Sequence, residues 1–261
     1  MSGLFTNVYP NFTKGRILKR DMLESLRDDP RRFTELSYQA YSDGILAGAE
    51  VRITAENLIV SSGLVKFGSR IYALEQDYSL SYSATGRETV LKIRFREAVA
   101  QLDFTLYNTD IVLDDDISLR GNELELGRFK LKEGAKLRSD YQSFADCATE
   151  YNTWNSIYTA YSALGQSSLS PALTRYFGAQ LLSAGSSNAY DIAFAMQCLN
   201  QGTVNRDLIL HYIGSRLGTG YKAYDNVHIH KYLTRILEET QGGTRAKPDL
   251  RPGAPRRMIV D

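Results

Sequence analysis

VLKIRF, residues 90–95, alternates apolar side chains with other residue types. Leu91, Ile93 and Phe95 share one phase, and the two residues between them are basic. A period of two residues places the apolar set on one face of a β-strand and the basic set on the other. The stretch therefore predicts a β-strand whose apolar face carries Leu91, Ile93 and Phe95.

Three further stretches extend this pattern. LDFTLY (102–107) has the same alternation, and NELELGRFKL (122–131) changes phase after Gly127, which predicts a bulge or turn there. SSGLVKFGSRIY (61–72) holds two glycines, as a phosphate-binding loop would. No helix follows it, and a phosphate loop needs a helix N-terminus, so we predict strand, turn and strand. Short strands at close spacing predict an antiparallel sandwich or barrel.

From Ser139 onward the spacing of the apolar residues changes to the period of about 3.6 that is typical of an α-helix. The sequence predicts one long helix ending at Gly165, followed by four more. Ser170 with Pro171, and later Asn188, are typical of helix starts, while Gly202 and Gly218 are typical of helix ends. The last helix carries its apolar face on Ile229, Tyr232, Leu233, Ile236 and Leu237.

These periods predict an α+β fold, in which an antiparallel β-sandwich or barrel-like domain precedes an all-helical domain with extended termini. Residues 1–46 form an arm and a short helix that Pro30 should stop. We place the β domain at 47–134, the helical domain at 135–244 and an extended, basic, proline-rich tail at 245–261.

Composition narrows the classes of function. The chain has 261 residues and a net charge of +1, which favours neither nucleic acid nor a membrane surface. The first residues do not form a signal peptide, and no run reaches the roughly 18 apolar residues of a membrane span. Its 17 tyrosines favour partly hydrated contact surfaces.

A search for chemistry yields no catalytic residue, cofactor site or metal site. His228 and His230 on one helix point apart, so a surface or packed pair is expected. His211 follows Asp207 by four residues and predicts a surface pair. The two cysteines, Cys147 and Cys198, fall among apolar residues and should be buried and inert. The three aspartates at 114–116 suit either calcium or a solvated hairpin tip, and they lack the other residues of a calcium loop.

One aromatic pattern stands out. Six residues are spaced 3, 4, 3, 4 and 3 apart, as on one face of a helix: Phe144, Cys147, Tyr151, Trp154, Tyr158 and Tyr161. Core packing is one interpretation, a helix–helix seam with another subunit is a second, and a sugar-stacking platform is a third. The candidate interaction residues are therefore Tyr151, Trp154, Tyr158 and Tyr161.

A second candidate surface lies in the tail. Arg256 and Arg257 precede Met258 and Ile259, which give a basic segment a short apolar hook. A solubilising tail would not need such a hook, so we expect it to dock on another subunit.

The order of motifs resembles a family of phage tail and baseplate proteins from prophages and phage-tail-like particles of Gram-positive bacteria. The resemblance runs through LFTNVYPNFTKGRILKRDMLESLRD, YSDGILAGAEV, LIVSSGLVKFGSRIYAL and VLKIRF, and on through EYNTWNSIYTAYSALGQSSLSPALTRYFG and YDIAFAMQCLNQGTVNRDLILHYI. Some members carry a helicase label, for which this sequence has no supporting motif. The family offers no catalytic residues to transfer.

The resemblance implies a structural component of a contractile-type tail, in the baseplate or at a fibre attachment, that contacts other tail subunits and copies of itself. Its location would be the virion or particle, assembled in the bacterial cytoplasm. Two alternatives stay open. A receptor module for cell-surface carbohydrate would need Tyr72, Tyr78, Tyr82 or Tyr107 exposed in a groove. An enzyme with paired carboxylates would need a pair, and nothing selects one among the 30 acidic residues.

Overall fold

The computed structural model describes residues 10–242, and it begins with one solvent-exposed helix. Helix α1 spans Arg20–Ser37 and contains Pro30, so the prediction that Pro30 stops the helix is wrong. Proline disfavours helix in the residue before it without forbidding it. Beyond Pro30 the helix is supported by the Arg31–Glu35 ion pair at 2.9 Å and by the Thr34 hydroxyl, which donates to the Pro30 carbonyl at 2.8 Å.

Eleven strands follow within the described residues, and all their pairings are antiparallel. They are β1 (Gly44–Gly48), β2 (Val51–Ile53), β3 (Asn57–Val60), β4 (Gly63–Phe67), β5 (Arg70–Leu74), β6 (Tyr78–Ser81), β7 (Glu88–Phe95), β8 (Val99–Ala100), β9 (Thr105–Leu106), β10 (Thr109–Asp114) and β11 (Glu123–Lys130). Three sheets have three strands each, in the orders β1-β4-β5, β2-β3-β6 and β10-β7-β11, and β8 pairs with β9.

The sheets share one apolar core, built as the alternation predicts. Leu91, Ile93 and Phe95 of β7 are buried, and the Phe95 ring stacks on Phe67 at 4.0 Å. SSGLVKFGSRIY forms β4, a turn at Gly68 and β5, which confirms strand, turn and strand. The bulge at Gly127 is also confirmed, because the β11–β7 register shifts between Glu125 and Gly127.

LDFTLY differs from its prediction. Only Thr105–Leu106 is a strand, while Leu102 is 99% exposed and Phe104 is 68% exposed. Both residues belong to the tip of the β8–β9 hairpin, where the Gln101 N–H donates to the Phe104 carbonyl at 2.7 Å. A hairpin tip leaves the sheet, so its alternate residues have no core to face.

Four α-helices form a second apolar core: α2 (Pro171–Ser183), α3 (Ala189–Asn200), α4 (Arg206–Leu217) and α5 (Asn226–Gln241). The helix starts are as predicted, because the Ser170 and Asn188 side chains accept from the N–H groups of Ala172 and Tyr190. Gly218 ends α4 in the left-handed conformation. Antiparallel sheets followed by helices confirm the α+β fold class.

The long helix predicted to end at Gly165 is wrong. Residues 139–165, which we call the connecting segment, contain one short 3-10 helix, Ala145–Ala148, and no α-helix. The segment instead makes isolated β-bridges, Arg128 with Asn155 and Ile45 with Tyr161 among them. It is rich in Ser, Thr, Asn and Tyr, which favour helix interiors less than Leu, Glu, Lys or Ala do, so propensity opposed the helical spacing.

No helix among residues 10–242 has the length and apolar character that crossing a membrane requires. The domain limits at 46, 134 and 244 stay predictions. The tail (245–261) and most of the N-terminal arm lie outside the described residues.

Candidate functional site

The histidines form no ligand set. His230 is buried in α5, where its ring stacks on Phe144 at 4.6 Å and its Nε2 lies 2.9 Å from the Phe144 carbonyl oxygen. His228 is exposed and lies 2.8 Å from Asp225. Asp207 accepts from Tyr221 at 2.9 Å, rather than pairing with His211 as predicted. Nowhere in residues 10–242 do three His, Cys, Asp or Glu side chains meet as a metal site would require.

The two cysteines are also unsuited to catalysis. Cys147 and Cys198 are free and buried, as predicted. Burial raises the pKa of each thiol to about 12, so the nucleophilic thiolate is scarce at neutral pH.

The cation that lies beside the three aspartates at 114–116 is the ammonium group of Lys92. Its Nζ donates to the carbonyl oxygens of Asp116 and Ser118 at 2.5 and 2.7 Å, and it lies 3.5 Å from the Asp114 carboxylate. The Asp116 N–H, which donates to the Asp114 carboxylate, and the nearby Lys92 charge lower the pKa of Asp114 and outweigh its burial, which acts in the opposite direction. Main-chain carbonyls of the hairpin therefore hold an ammonium group, while residues 115–120 are exposed, as the prediction of a solvated hairpin tip requires.

Lys92 belongs to a buried ion network on the face of β7 opposite the apolar core. Glu123 lies 3.4 Å from Lys92 and accepts from Arg94 Nε at 2.8 Å, with its side chain fully buried. Arg128 binds Glu125 through two nitrogens, at 2.7 and 2.6 Å. Because every charge here has a partner, the network fixes the sheet rather than offering a free catalytic acid or base.

A similar cluster joins the helices. Asp191 of α3 is buried and accepts from the Tyr212 hydroxyl at 2.9 Å and from the Ser186 hydroxyl at 2.6 Å. Arg216 Nε lies 2.8 Å from Asp191 as an ion pair, out of line for a hydrogen bond. The cluster ties α3 to α4 and leaves the carboxylate no free oxygen to offer a substrate.

The structure separates the four aromatic candidates of the connecting segment. Trp154 is buried in the sheet core against Gly127, and Tyr161 packs against the same core. The ammonium groups of Lys130 and Lys132 lie 4.5 and 4.1 Å from the centroid of the Tyr151 ring. These residues do not share one helix face, so the heptad seam is wrong.

Tyr158 is the most exposed of the four candidates, at 40%. The Arg128 guanidinium lies 3.6 Å from its ring centroid. Among the four candidates, the ring face of Tyr158 that Arg128 does not cover is therefore the most accessible to a partner. The other candidates, Arg256, Arg257, Met258 and Ile259, lie outside the described residues.

A cavity of about 250 Å³ lies where the sheets meet the helices. Trp154, Tyr161, Tyr141 and Tyr176 line it. The Tyr141 hydroxyl donates to the Trp154 carbonyl at 2.7 Å, and burial raises the pKa of Tyr141 and of Tyr161. Its polar groups are thus largely engaged with the protein, and we assign the cavity to packing.

A larger groove, of about 700 Å³, lies between α1, β5 and residues 105–109. Tyr72 and Tyr107 line it, which is the placement that a carbohydrate-binding module would need. The Tyr72 ring packs edge-on against Phe95 at 4.9 Å, and Arg70 covers the Tyr107 ring at 4.0 Å. The other two tyrosines do not line this groove: Tyr78 is exposed elsewhere, and the Tyr82 hydroxyl donates to the Thr54 carbonyl at 2.9 Å. The groove therefore offers no open aromatic platform for a sugar ring.

Three elements each present several exposed apolar side chains. The β8–β9 tip presents Leu102 and Phe104, and the outer side of α3 presents Ile192, Met196 and Leu199 with no charged residue among them. None of the residues of α1 is buried. Apolar surface of this kind is typical of protein–protein contact rather than of a catalytic cleft.

The chain matches no protein-family model and no curated protein. Among solved structures it is similar to the crystal structure of TssK, at a TM-score of 0.45 and 10% identity, over 92% of this chain and 70% of that one. It is also similar to a chain of the type VI secretion system TssK-TssF-TssG baseplate subcomplex, at 0.38 and 12%, over 89% and 100% of the two chains. Both TM-scores lie below 0.5, so these likenesses do not decide the function.

Proposed function

We propose that the chain is a structural subunit of a phage or phage-like contractile-type tail, in the baseplate or at a fibre attachment. It joins neighbouring subunits, including copies of itself, and catalyses no reaction. The order of sequence motifs given above supports the tail assignment. The paired carboxylates of the two buried clusters and the inert thiols support a role without catalysis.

Helix α1 carries the proposal of subunit contact. It is 18 residues long, and no residue in it is buried. Its apolar residues Leu23, Leu26, Phe33 and Leu36 are 50–75% exposed. Helices in proteins are stabilised mainly by packing an amphipathic face, and the proline inside α1 weakens it further because it removes one main-chain hydrogen bond. The apolar face of α1 therefore needs another protein surface to pack against, and residues 10–242 do not provide one.

The charges of α1 point to the same conclusion. Arg20 pairs with Glu24 at 2.7 Å, and Arg31 pairs with Glu35 at 2.9 Å, so much of the charged face is neutralised within the helix. Because these charges are already paired, a partner subunit would contact α1 mainly through the apolar face of the helix. Fully burying one Leu or Phe side chain contributes about 1.5–3 kcal/mol, so four half-exposed ones contribute several kcal/mol to a contact.

The test replaces two apolar residues of α1 with charged ones, Leu26→Glu and Phe33→Glu together. The matched control is Arg20→Glu, which changes the net charge by the same amount on the charged face of the helix. Because these residues are exposed, both variants should fold with nearly the wild-type melting temperature. We expect the double variant to be absent from purified particles and the control to be incorporated. Normal particles containing the double variant would refute the role of α1.

A further inference from the structure

The groove between β5 and residues 105–109 has two exposed main-chain edges. Four consecutive residues of β5, 70–73, line it, and so do residues 105–109. Side chains of a strand alternate between its two faces, so consecutive residues can line one groove only where the edge of the strand faces it. The groove is therefore bordered by main chain on both sides.

The edge of β5 is open for pairing. In the described residues β5 pairs with β4 alone, at the end of the sheet β1-β4-β5. Half of the N–H and C=O groups of an edge strand point away from its neighbour and accept a further strand. An extended peptide is the ligand that matches such an edge.

The groove also carries one uncompensated positive charge. Arg70 lies 4.0 Å from the Tyr107 ring centroid, and one of its terminal nitrogens donates to the Tyr107 hydroxyl at 3.1 Å. Its Nε is buried without any acceptor, and no carboxylate pairs with Arg70 in the described residues. The other arginine of the groove, Arg31, is neutralised by Glu35. Its second terminal nitrogen, Nη1, is neither buried nor hydrogen-bonded, so a carboxylate of a ligand can bind there and supply the missing charge.

We propose that this groove binds an extended, acidic segment of a partner protein. The main chain of the segment pairs with β5, and one of its carboxylates binds Arg70. The inference rests on the proposed function for the existence of a partner subunit. The basic tail of this chain has the wrong sign for the site, since residues 245–261 hold five basic residues against two acidic ones.

The test uses the full chain and three synthetic peptides with blocked ends. Their sequences are TVEVT, TVQVT and TVKVT, which share one β-forming frame and differ only in the central charge. Binding is followed by two-dimensional NMR of the ¹⁵N-labelled protein. We expect TVEVT to shift the amide signals of Ile71 and Ala73 and to bind about tenfold more tightly than TVQVT, and TVKVT to bind least.

Variants separate the site from general charge effects. Arg70→Gln should remove the preference for TVEVT over TVQVT, whereas Arg52→Gln, at an exposed arginine paired with Asp77, should keep it. Equal binding of all three peptides, shifts outside the groove, or an unchanged preference in Arg70→Gln would each overturn the proposal. Acetate alone reproducing the full shifts of TVEVT would also overturn it. The α1 variants leave Arg70 and β5 intact, so failure of the proposed function and failure of this inference are distinguishable.

Discussion

Gly127→Ala should destabilise the protein strongly, because Gly127 lies against the indole ring of Trp154. Gly127 has a φ of +149°, which side chains rarely adopt, and a Cβ added there would lie 2.6 Å from Cε2 of Trp154. Backbone strain costs about 1–3 kcal/mol, and overpacking of a buried ring costs about 1–3 kcal/mol more. The expected loss is therefore about 2–6 kcal/mol, or roughly 5–20 °C in melting temperature.

Trp154 is the single tryptophan of the chain, so its fluorescence reports unfolding at the site of the change. Urea unfolding followed by this signal gives the difference in free energy of unfolding. Gly86→Ala is the matched control, because Gly86 also has a positive φ, of +69°, but has no atom within 4 Å of the added Cβ. Backbone strain alone should cost the control about 1–2 kcal/mol. Equal losses in the two variants would show that the contact between Gly127 and Trp154 does not constrain the fold.

Three further outcomes are expected. Lys92→Met should lower the free energy of unfolding by about 3–5 kcal/mol in urea titrations, because Glu123 and Asp114 lose a buried cation, and adding Glu123→Gln should restore part of it. Burial lowers the pKa of His230 below its usual value, so the contribution of this residue to stability is complete above about pH 6.5 and is lost as the pH decreases. His230→Gln should therefore weaken the decrease in melting temperature between pH 7 and pH 5, whereas His228→Gln should not. Deleting residues 245–261 should leave the melting temperature unchanged but impair incorporation into particles, and normal particles would count against the docking hook.

Local chemistry made part of the fold predictable. The alternation in VLKIRF identifies the buried face of β7 because a strand has a fixed period of two. Gly127 signals a bulge because the phase of the apolar residues changes there. Ser170, Asn188 and Gly218 mark helix ends through hydrogen bonds or conformations that each residue makes within a few positions of itself. Each of these signals depends only on near neighbours in sequence.

The candidate site depended on distant contacts, and the sequence did not specify them. The aromatic spacing in the connecting segment resembles a helix, yet Trp154 and Phe144 face two different cores. Lys92 and Glu123 meet across neighbouring strands of one sheet, which only the register decides. Only the composition of the connecting segment argued against a helix. The segment contains little Leu, Glu or Lys, which are strong helix formers, so its helical spacing was weak evidence.

The bridges of the connecting segment have a consequence for amide hydrogen exchange. The N–H of Asn155 donates to the Arg128 carbonyl, and the N–H of Ser162 donates to the Ile45 carbonyl, both at 2.8 Å and beside buried side chains. Exchange at such amides requires the surrounding core to open, whatever the regularity of the backbone. Asn155 and Ser162 should therefore exchange as slowly as amides in the centre of β7. The exposed α1, although fully helical, should exchange rapidly until a partner covers it.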